Sequence, residues 1–127
     1  MEVQPTNSEL EVLTVLWEFG SATAREVHNH LTKTKSTGYT TTLKIIQNMF
    51  DKGFLSREPK GQTHIYSAVV EQTDVQKEML GGFVNKVFSG SSQNLILQAL
   101  GNQQPSQEEL DEIRAMLDQL ENKRKKK

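Results

Sequence analysis

The sequence contains no cysteine. This absence excludes disulfide bonds, metal sites built on thiolates and cysteine nucleophiles. Long apolar runs are also missing: the first ten residues, MEVQPTNSEL, do not resemble a signal peptide, and no stretch approaches the length needed to cross a membrane. We therefore expect a cytoplasmic protein without membrane insertion.

Catalytic and metal-binding patterns are absent as well. The sequence has neither a serine, histidine and acid combination typical of nucleophilic catalysis nor a glycine-rich phosphate loop. His28 and His30 are two residues apart on a predicted helix, so their side chains point in directions about 200° apart and do not chelate one metal. The sequence therefore predicts no enzyme, no metal site and no cofactor.

Positive charge is concentrated in one part of a nearly neutral chain. The net charge is −1, yet residues 25–60 contain seven basic and three acidic residues. The first 20 residues and residues 64–122 are acidic, and the chain ends in the basic sequence KRKKK. Such segregation favours a fold in which one region faces an anionic partner, although patches of this size also occur on ordinary surfaces.

Two helix starts are visible near the N-terminus. Ser8 followed by Glu11, and Thr23 followed by Glu26, both match the capping box, in which a hydroxyl and a carboxylate each accept a backbone N–H. The first box precedes apolar residues at helical spacing and predicts a helix over residues 9–19. The second predicts a short helix soon afterwards.

The sequence TGYTTTLKIIQNMFDKGF predicts a third helix with two different faces. The predicted buried arc consists of Thr42, Leu43, Ile45, Ile46, Met49 and Phe50. The opposite arc carries Thr40, Thr41, Lys44, Gln47, Asn48 and Asp51. Short hydroxyl and amide groups dominate this outer arc, whereas a helix that faces only solvent usually carries long Glu and Lys side chains. The outer arc is therefore a candidate binding surface.

After this helix the spacing of apolar residues changes from helical to alternating. FLSRE and THIYSAVV predict the two strands of a hairpin whose tip carries Lys60, Gly61 and Gln62. Three helices followed by a β-hairpin is the order of a winged helix-turn-helix. The predicted fold class is mainly α, with a winged helix-turn-helix, made of three helices and a β-hairpin wing, in residues 1–71.

Residues 72–122 are predicted to form a C-terminal helical dimerisation domain. Apolar residues recur there at helical spacing, and the candidate dimer contacts are Val75, Met79, Phe83, Val87, Leu95, Leu97, Leu110, Ile113 and Leu117. Short helices with apolar faces and no obvious partner in so small a chain favour dimerisation, with packing onto the winged helix as the alternative. Residues 123–127 are predicted to be a disordered basic tail, with nonspecific attraction to DNA as a further role.

The segments LEVLTVLWEFGSATAREVHNHL, YTTTLKIIQNMFDKGFLSRE, IYS and VFSGSSQNLIL resemble, in order and spacing, the penicillinase repressor family of the BlaI/MecI type. The resemblance extends from about Ser8 to Leu120 and implies a homodimeric transcriptional repressor. In that family an N-terminal winged helix binds a palindromic operator in double-stranded DNA, and C-terminal helices dimerise. A copper-responsive branch carries cysteine pairs, so its kind of copper sensing is not expected here.

The resemblance and the chemistry of the third helix agree on its DNA contacts. Thr40 and Thr41 suit phosphate or the thymine methyl group, Lys44 reaches phosphate or guanine, and Gln47 and Asn48 read adenine. Capping of the helix by Thr40 or Thr41 is an alternative role that is compatible with phosphate contact. Many relatives have a basic residue at the position of Asn48, so operator preference does not transfer directly.

The wing supplies the remaining expected DNA contacts, which are Lys60, Gln62 and His64. Relatives carry an arginine where this chain has Gln62, and for His64 a plain strand position is the alternative. The rival function is a winged-helix protein–protein interaction module without specific DNA binding, since the outer arc of the third helix has only one basic residue.

A membrane-bound sensor protease is an implied partner, because in the resistance members of the family such a protease triggers cleavage of the repressor. The bond that is cut there joins Asn to Phe, and the matching residues in this chain are Gln98 and Ala99. A pocket shaped for a large aromatic side chain loses most of its apolar contact with a methyl group. We therefore expect inefficient cleavage by a protease of that type.

Overall fold

The computed structural model describes residues 4–125, which form six helices and three short strands. In chain order the elements are α1 (Asn7–Phe19), β1 (Ala22–Thr23), α2 (Ala24–Leu31), α3 (Tyr39–Asp51), β2 (Leu55–Lys60), β3 (Thr63–Ala68), α4 (Gln72–Val87), α5 (Ser92–Gln103) and α6 (Gln107–Lys125). The chain divides into two compact units between Gly81 and Gly82. No helix within residues 4–125 is both long and apolar enough to span a membrane.

The predicted hairpin is confirmed, and the structure adds a strand to it. β2 and β3 pair antiparallel around the two-residue turn Gly61–Gln62, where Gly61 has a φ of 62° that suits glycine. β1 pairs antiparallel with the other edge of β3, giving the strand order β1-β3-β2. Two residues are too few for an alternating pattern, so β1 was not predicted from the sequence.

The core of the first unit lies between α1, α2, α3 and the sheet. Its fully buried side chains come from all three helices and include Val12, Leu13, Val27, Ile46 and Met49. The two-sided character predicted for α3 is confirmed, because the residues of the predicted arc are buried or half-buried and the opposite arc is exposed. Burial of this face fixes which side of α3 points outwards.

The capping prediction for α1 is wrong by two residues. Thr6 is the N-cap: its hydroxyl accepts the N–H of Glu9 at 3.1 Å, and the Glu9 carboxylate accepts the N–H of Thr6 at 3.0 Å. Ser8 therefore lies inside the helix. The sequence contains two overlapping matches to the same pattern, and the helix uses the one whose carboxylate is also buried. The Thr23–Glu26 box at the start of α2 is confirmed.

Two predictions for the C-terminal half need correction. Val75 is fully buried in the single chain, within the first compact unit, and is therefore not available as a dimer contact. Residues 123–125 continue α6 instead of forming a disordered tail, and residues 126–127 lie outside the described part of the chain. Basic side chains are favourable in the last turn of a helix, where the macrodipole is negative.

The Glu9 carboxylate contacts both the start of α1 and the end of α3. One oxygen of this carboxylate accepts the Thr6 N–H, and the other accepts Lys52 Nζ at 2.6 Å, just past the last residue of α3. The Glu9 side chain is 6% exposed. Burial acts to raise the pKa of Glu9, but the hydrogen bonds from Lys52 and Thr6 outweigh it and lower the pKa below 4.5.

Replacing Glu9 with glutamine tests the contribution of its ion pair with Lys52. Glu9→Gln keeps an acceptor for Thr6 but removes the charge that pairs with Lys52, so the free energy of unfolding at neutral pH should fall by about 1–3 kcal/mol. The pKa of Glu9 is lower in the folded state than in the unfolded state. The stability that Glu9 contributes is therefore present above its pKa in the unfolded state, and it is lost as the pH falls through its pKa in the folded state. Denaturant titrations from neutral pH down to about pH 3 should thus show a weaker pH dependence in the variant.

The matched control is Glu11→Gln. Glu11 pairs with Lys35 at 2.9 Å, but both side chains are more than a third exposed. An exposed pair contributes about 0–1 kcal/mol, so this variant should remain close to the wild type. Equal losses in the two variants would contradict the special role of Glu9.

Candidate nucleic-acid interface

The outer face of α3 carries five exposed polar residues that the sequence analysis selected: Thr40, Thr41, Lys44, Gln47 and Asn48. They lie on a helix of 13 residues whose opposite face is in the core. The helix therefore presents hydroxyl, amide and ammonium groups on one side of a rigid element. Hydroxyl, amide and ammonium groups are the kinds that contact phosphates and base edges in nucleic acids.

The start of α3 differs from the sequence prediction. Gly38 is the N-cap and makes no side-chain capping hydrogen bond, and Tyr39 is the first helical residue. Thr40 and Thr41 are thus inside the first turn, and the alternative role of N-cap is wrong for both. The first turn of α3 also contains no acidic residue. Its positive dipole end is consequently left without a negative side chain on this helix.

Contacts between α2 and α3 fix the position of this first turn. The hydroxyl of Thr42, which is fully buried, lies 3.1 Å from His28 Nδ1 and donates to the Gly38 carbonyl at 3.4 Å. One turn earlier, the Tyr39 ring meets His28 edge to face, with 5.5 Å between centroids, and the Arg25 guanidinium lies 3.8 Å above the Tyr39 ring centroid. Residues three apart on α2 thus face residues three apart on α3.

Arg25 also belongs to this surface, although it was not among the residues predicted from the sequence. The spacing of Arg25 and His28, three residues apart on a predicted helix, was a usable sign that both share one face. That spacing alone could not reveal that the face meets Tyr39. Within residues 4–125 no cluster of three or more His, Asp or Glu side chains is arranged to hold a metal ion.

The wing presents its predicted residues unequally. Lys60 and Gln62 are exposed at the hairpin tip, whereas His64 is half-buried on β3, opposite Pro59 and 6.2 Å from the Tyr66 ring between centroids. Hydrogen bonds from Thr23 lower the pKa of Glu26, and the positive charge of Lys60 adds to that effect. The charge of Lys60 therefore acts on Glu26 at the start of α2.

Comparison with known proteins decides what kind of protein carries this surface. The sequence model described as "Penicillinase repressor" matches residues 5–119. The chain belongs to the penicillinase repressor family. Members of this family are repressors, so the chain is a DNA-binding transcriptional repressor and not an enzyme.

Individual relatives match over almost their whole length. The penicillinase repressor of Bacillus licheniformis is 28% identical over 122 residues, which cover 96% of this chain and 95% of the relative. The methicillin resistance regulatory protein MecI of Staphylococcus aureus strain N315 is 27% identical over 112 residues, with 88% and 91% covered.

A solved structure supports the fold assignment. The solution structure of the B. licheniformis BlaI monomeric form in complex with the blaP half-operator is similar, with a TM-score of 0.50 and 27% identity over 58% of this chain and 90% of that one. The predicted fold class, a mainly α protein with a winged helix-turn-helix, is confirmed by the described elements and by this likeness.

Within this family member, Lys44 is the residue whose removal best tests the outer face of α3. If Lys44→Ala removes only a phosphate contact, affinity should fall similarly on all DNA sequences and the slope of log K against log salt should shrink by about one for each bound copy. If Lys44 reads guanine, discrimination should fall by about 1–3 kcal/mol. Fluorescence anisotropy titrations at several salt concentrations measure both quantities.

A suitable control is Lys33→Ala, which changes the net charge by the same amount. Lys33 follows α2, belongs to neither α3 nor the wing, and lies with Val15 and His30 beside a depression between α1 and α2. Identical binding by Lys44→Ala and the wild type on every sequence would show that this face does not meet DNA.

Proposed function

We propose that this repressor is a homodimer that binds a palindromic operator, with α3 of each copy in a major groove and the wing against the DNA backbone. The observation that carries the proposal is the outer face of α3, where short polar side chains replace the long charged ones of a solvated helix. The relative whose structure was solved in complex with a half-operator supports DNA binding by this fold. A half-operator also implies a second half, as expected for a dimer.

Each residue of the proposed interface has a chemical role. The hydroxyls of Thr40 and Thr41 approach phosphates or a thymine methyl group near the start of α3, where the helix dipole favours anions. Lys44 lies one turn further along, and Gln47 and Asn48 follow with amides that suit adenine. The amide groups provide direct readout, whereas the threonines and the lysine mainly position the helix.

The proposed wing contacts are Lys60 and Gln62, which are exposed at the tip of the hairpin. Lys60 provides charge, while Gln62 provides a neutral hydrogen-bonding group that suits a sugar or phosphate oxygen. Half-burial of the His64 side chain makes it the weakest of the proposed contacts. The wing therefore contributes mostly backbone affinity and little sequence information.

Exposed apolar side chains in the C-terminal half support the proposed homodimer. Neither α5 nor α6 has a buried residue in the single chain. The large apolar side chains that remain about half exposed or more from residue 83 onwards are Phe83, Val87, Ile96, Leu97, Met116, Leu117 and Leu120. Apolar surface of this extent is typical of an interface, and helices of 12 and 19 residues are marginal in water without tertiary packing.

The proposed dimer contacts therefore differ somewhat from those selected in the sequence. Phe83, Val87, Leu97 and Leu117 remain, and Met79, Leu95, Leu110 and Ile113 are half-buried and serve at the margin of the contact. The additional contacts are Ile96, Met116 and Leu120. A second copy is the natural partner, because a palindromic operator requires two identical readers related by a two-fold axis.

Titration with the DNA upstream of its own gene tests the proposed function as a whole. The repressor should bind this DNA with a steep salt dependence and more tightly than a scrambled duplex of the same length. Equal, weak binding to both duplexes would favour the rival function of a protein–protein interaction module.

Charge substitutions on the C-terminal apolar surface test the dimer. Leu97 and Leu117 are 62% and 58% exposed in the single chain, so Leu97→Asp and Leu117→Asp should leave the fold of each copy intact. Each should weaken the dimer at least about tenfold, because burying an unpaired carboxylate is costly. Sedimentation velocity should show monomers, and operator affinity should fall because the two half-sites are no longer linked.

The control for these substitutions is Val69→Asp in the first unit, where Val69 is 57% exposed. It introduces the same charge at a similarly exposed apolar residue outside the proposed contact. Sedimentation should find it unchanged from the wild type. Dimers that persist in Leu97→Asp and Leu117→Asp would place the dimer contact elsewhere.

We also propose that a sensor protease releases the repressor from DNA. The two residues at the cleavage position, however, differ from the Asn and Phe of the resistance members of the family. The bond between Gln98 and Ala99 lies in the middle of α5, and the Gln98 amide donates to the Asn94 side chain one turn earlier at 3.1 Å. Because helices must unfold locally to enter a protease, cleavage requires α5 to open first. The methyl group of Ala99 then offers little to a pocket shaped for an aromatic side chain.

Incubation of the purified protein with a sensor protease of the resistance type tests whether Gln98 and Ala99 prevent efficient cleavage. We expect the wild type to stay intact, and the double substitution Gln98→Asn with Ala99→Phe to increase cleavage about tenfold or more, since the aromatic ring restores about 1–3 kcal/mol of pocket contact. Mass spectrometry of the fragments locates the cut. Rapid cleavage of the wild type between Gln98 and Ala99 would mean that the location of the bond matters more than its side chains.

A further inference from the structure

We propose that Arg25 is an additional contact to the DNA backbone, with its guanidinium held over the ring of Tyr39 and presented to a phosphate beside the first turn of α3. This inference rests on the proposed DNA-binding function of α3. Arg25 lies on α2, is exposed, and does not belong to the outer face of α3 or to the wing.

The Arg25 side chain has a defined place in the structure. Its Cζ atom lies 3.8 Å from the Tyr39 ring centroid, which is the distance of a stacked guanidinium. The Tyr39 ring is itself fixed from another side by the edge-to-face contact with His28. An arginine that is already ordered loses less side-chain entropy when it binds a phosphate.

The charge of Arg25 is not used in an ion pair among the residues that the structure describes. Within residues 4–125 the ion pairs are those of Lys35, Lys52 and Arg114, and Arg25 belongs to none of them. The nearest carboxylate in sequence, Glu26, accepts the N–H of Thr23 at 2.8 Å as the acidic partner of the capping box of α2. The positive charge of Arg25 therefore has no partner of its own in the described part of the chain. Stacking on an aromatic face leaves the N–H groups at the edge of a guanidinium available for bidentate contact with phosphate.

Arg25 lies beside the start of α3. Tyr39 immediately precedes Thr40 and Thr41, the two exposed threonines proposed to meet DNA at the start of α3. Arg25 thus adds a guanidinium beside a helix start that has no acidic residue in its first turn. Phosphate suits this arrangement better than a carboxylate side chain does, because the DNA backbone is a regular array that already runs past the threonines in the proposed complex.

A purely structural role for Arg25, in which it only holds α2 against α3, makes a different prediction. Loss of such a contact lowers the stability of the fold but leaves the number of phosphates neutralised by the folded protein unchanged. The slope of log K against log salt counts those phosphates, so it separates the two roles.

The experiment uses the full-length protein and two duplexes, one from upstream of its own gene and one scrambled. Arg25→Ala should reduce the salt slope by about one for each bound copy, which is about two for the proposed dimer, and should weaken both duplexes similarly at moderate salt. Arg25→Lys should restore the slope, because the charge is kept, but only part of the affinity. Lys33→Ala removes the same charge between α1 and α2 and serves as the control for a general effect of net charge.

A double-mutant comparison tests whether Tyr39 acts on DNA binding through Arg25. Tyr39→Leu removes the ring but keeps Arg25, so affinity should fall several-fold while the slope stays near the wild-type value. The double variant should bind no more weakly than Arg25→Ala alone, because Tyr39 acts through Arg25. Thermal unfolding of every variant identifies losses that come only from instability.

The outcomes separate this inference from the proposed function. A wild-type protein with a steep salt slope, together with an Arg25→Ala variant of the same slope, overturns the Arg25 contact and leaves DNA binding intact. A wild-type protein that binds neither duplex in a salt-dependent way overturns both. A reduced slope in Arg25→Ala, unaffected folding and a wild-type slope in Lys33→Ala support the contact.

Discussion

Burial of one stripe of α3 is the constraint on which the rest of the first unit depends. Thr42, Ile46 and Met49 are fully buried along this stripe, and a helix of 13 residues would be marginal in water without such packing. Because one face of the helix is fixed in the core, the opposite face must point outwards. The orientation of the proposed reading face is therefore a consequence of core packing and not of contacts made by that face itself.

Contacts at the two ends of α3 refine what the stripe determines. At the C-terminal end, Lys52 reaches the buried carboxylate of Glu9, and at the N-terminal end Tyr39 packs against His28 and Arg25 on α2. A helix held only by an apolar stripe can slide or rotate with little change in buried area, whereas polar contacts at its ends are directional. Precise placement matters for base readout, because a bidentate hydrogen bond tolerates little displacement.

Local patterns in the sequence predicted the elements of this unit but not the contacts that join them. Helical spacing identified both faces of α3, and alternation together with Gly61 identified the hairpin. The capping box of α1 was misplaced because two overlapping matches are equivalent locally, and the bond from Lys52 that distinguishes Glu9 comes from 43 residues away in sequence. The two-residue strand β1 and the stacking of Arg25 on Tyr39 were missed for the same reason, since each depends on a partner distant in the chain.

The C-terminal half illustrates another limit of periodicity. Val75 and Leu97 were selected by the same criterion, an apolar residue at helical spacing, yet Val75 is fully buried in one chain and Leu97 is 62% exposed. The spacing of apolar residues indicates that a face will be buried, but it does not say whether the same chain or a second copy covers it. That distinction requires the tertiary structure, and it decides which substitutions would act on the fold and which on the proposed dimer.

The composition of the outer face of α3 gives dimerisation particular weight in the proposed mechanism. Apart from Asp51 at its far end, this face has one lysine among short neutral side chains, so in the proposed complex α3 itself neutralises few phosphates of a half-site. Linking two such readers makes the second contact intramolecular, which multiplies affinity by the effective concentration of the second half-site. A repressor whose individual readers bind weakly is released almost completely when its dimer comes apart, whereas strongly charged readers would remain on the DNA as monomers. In the proposed mechanism, the modest charge of α3 would keep half-site binding weak and the apolar surface of the C-terminal helices would hold the dimer together, so loss of the dimer would be sufficient for release.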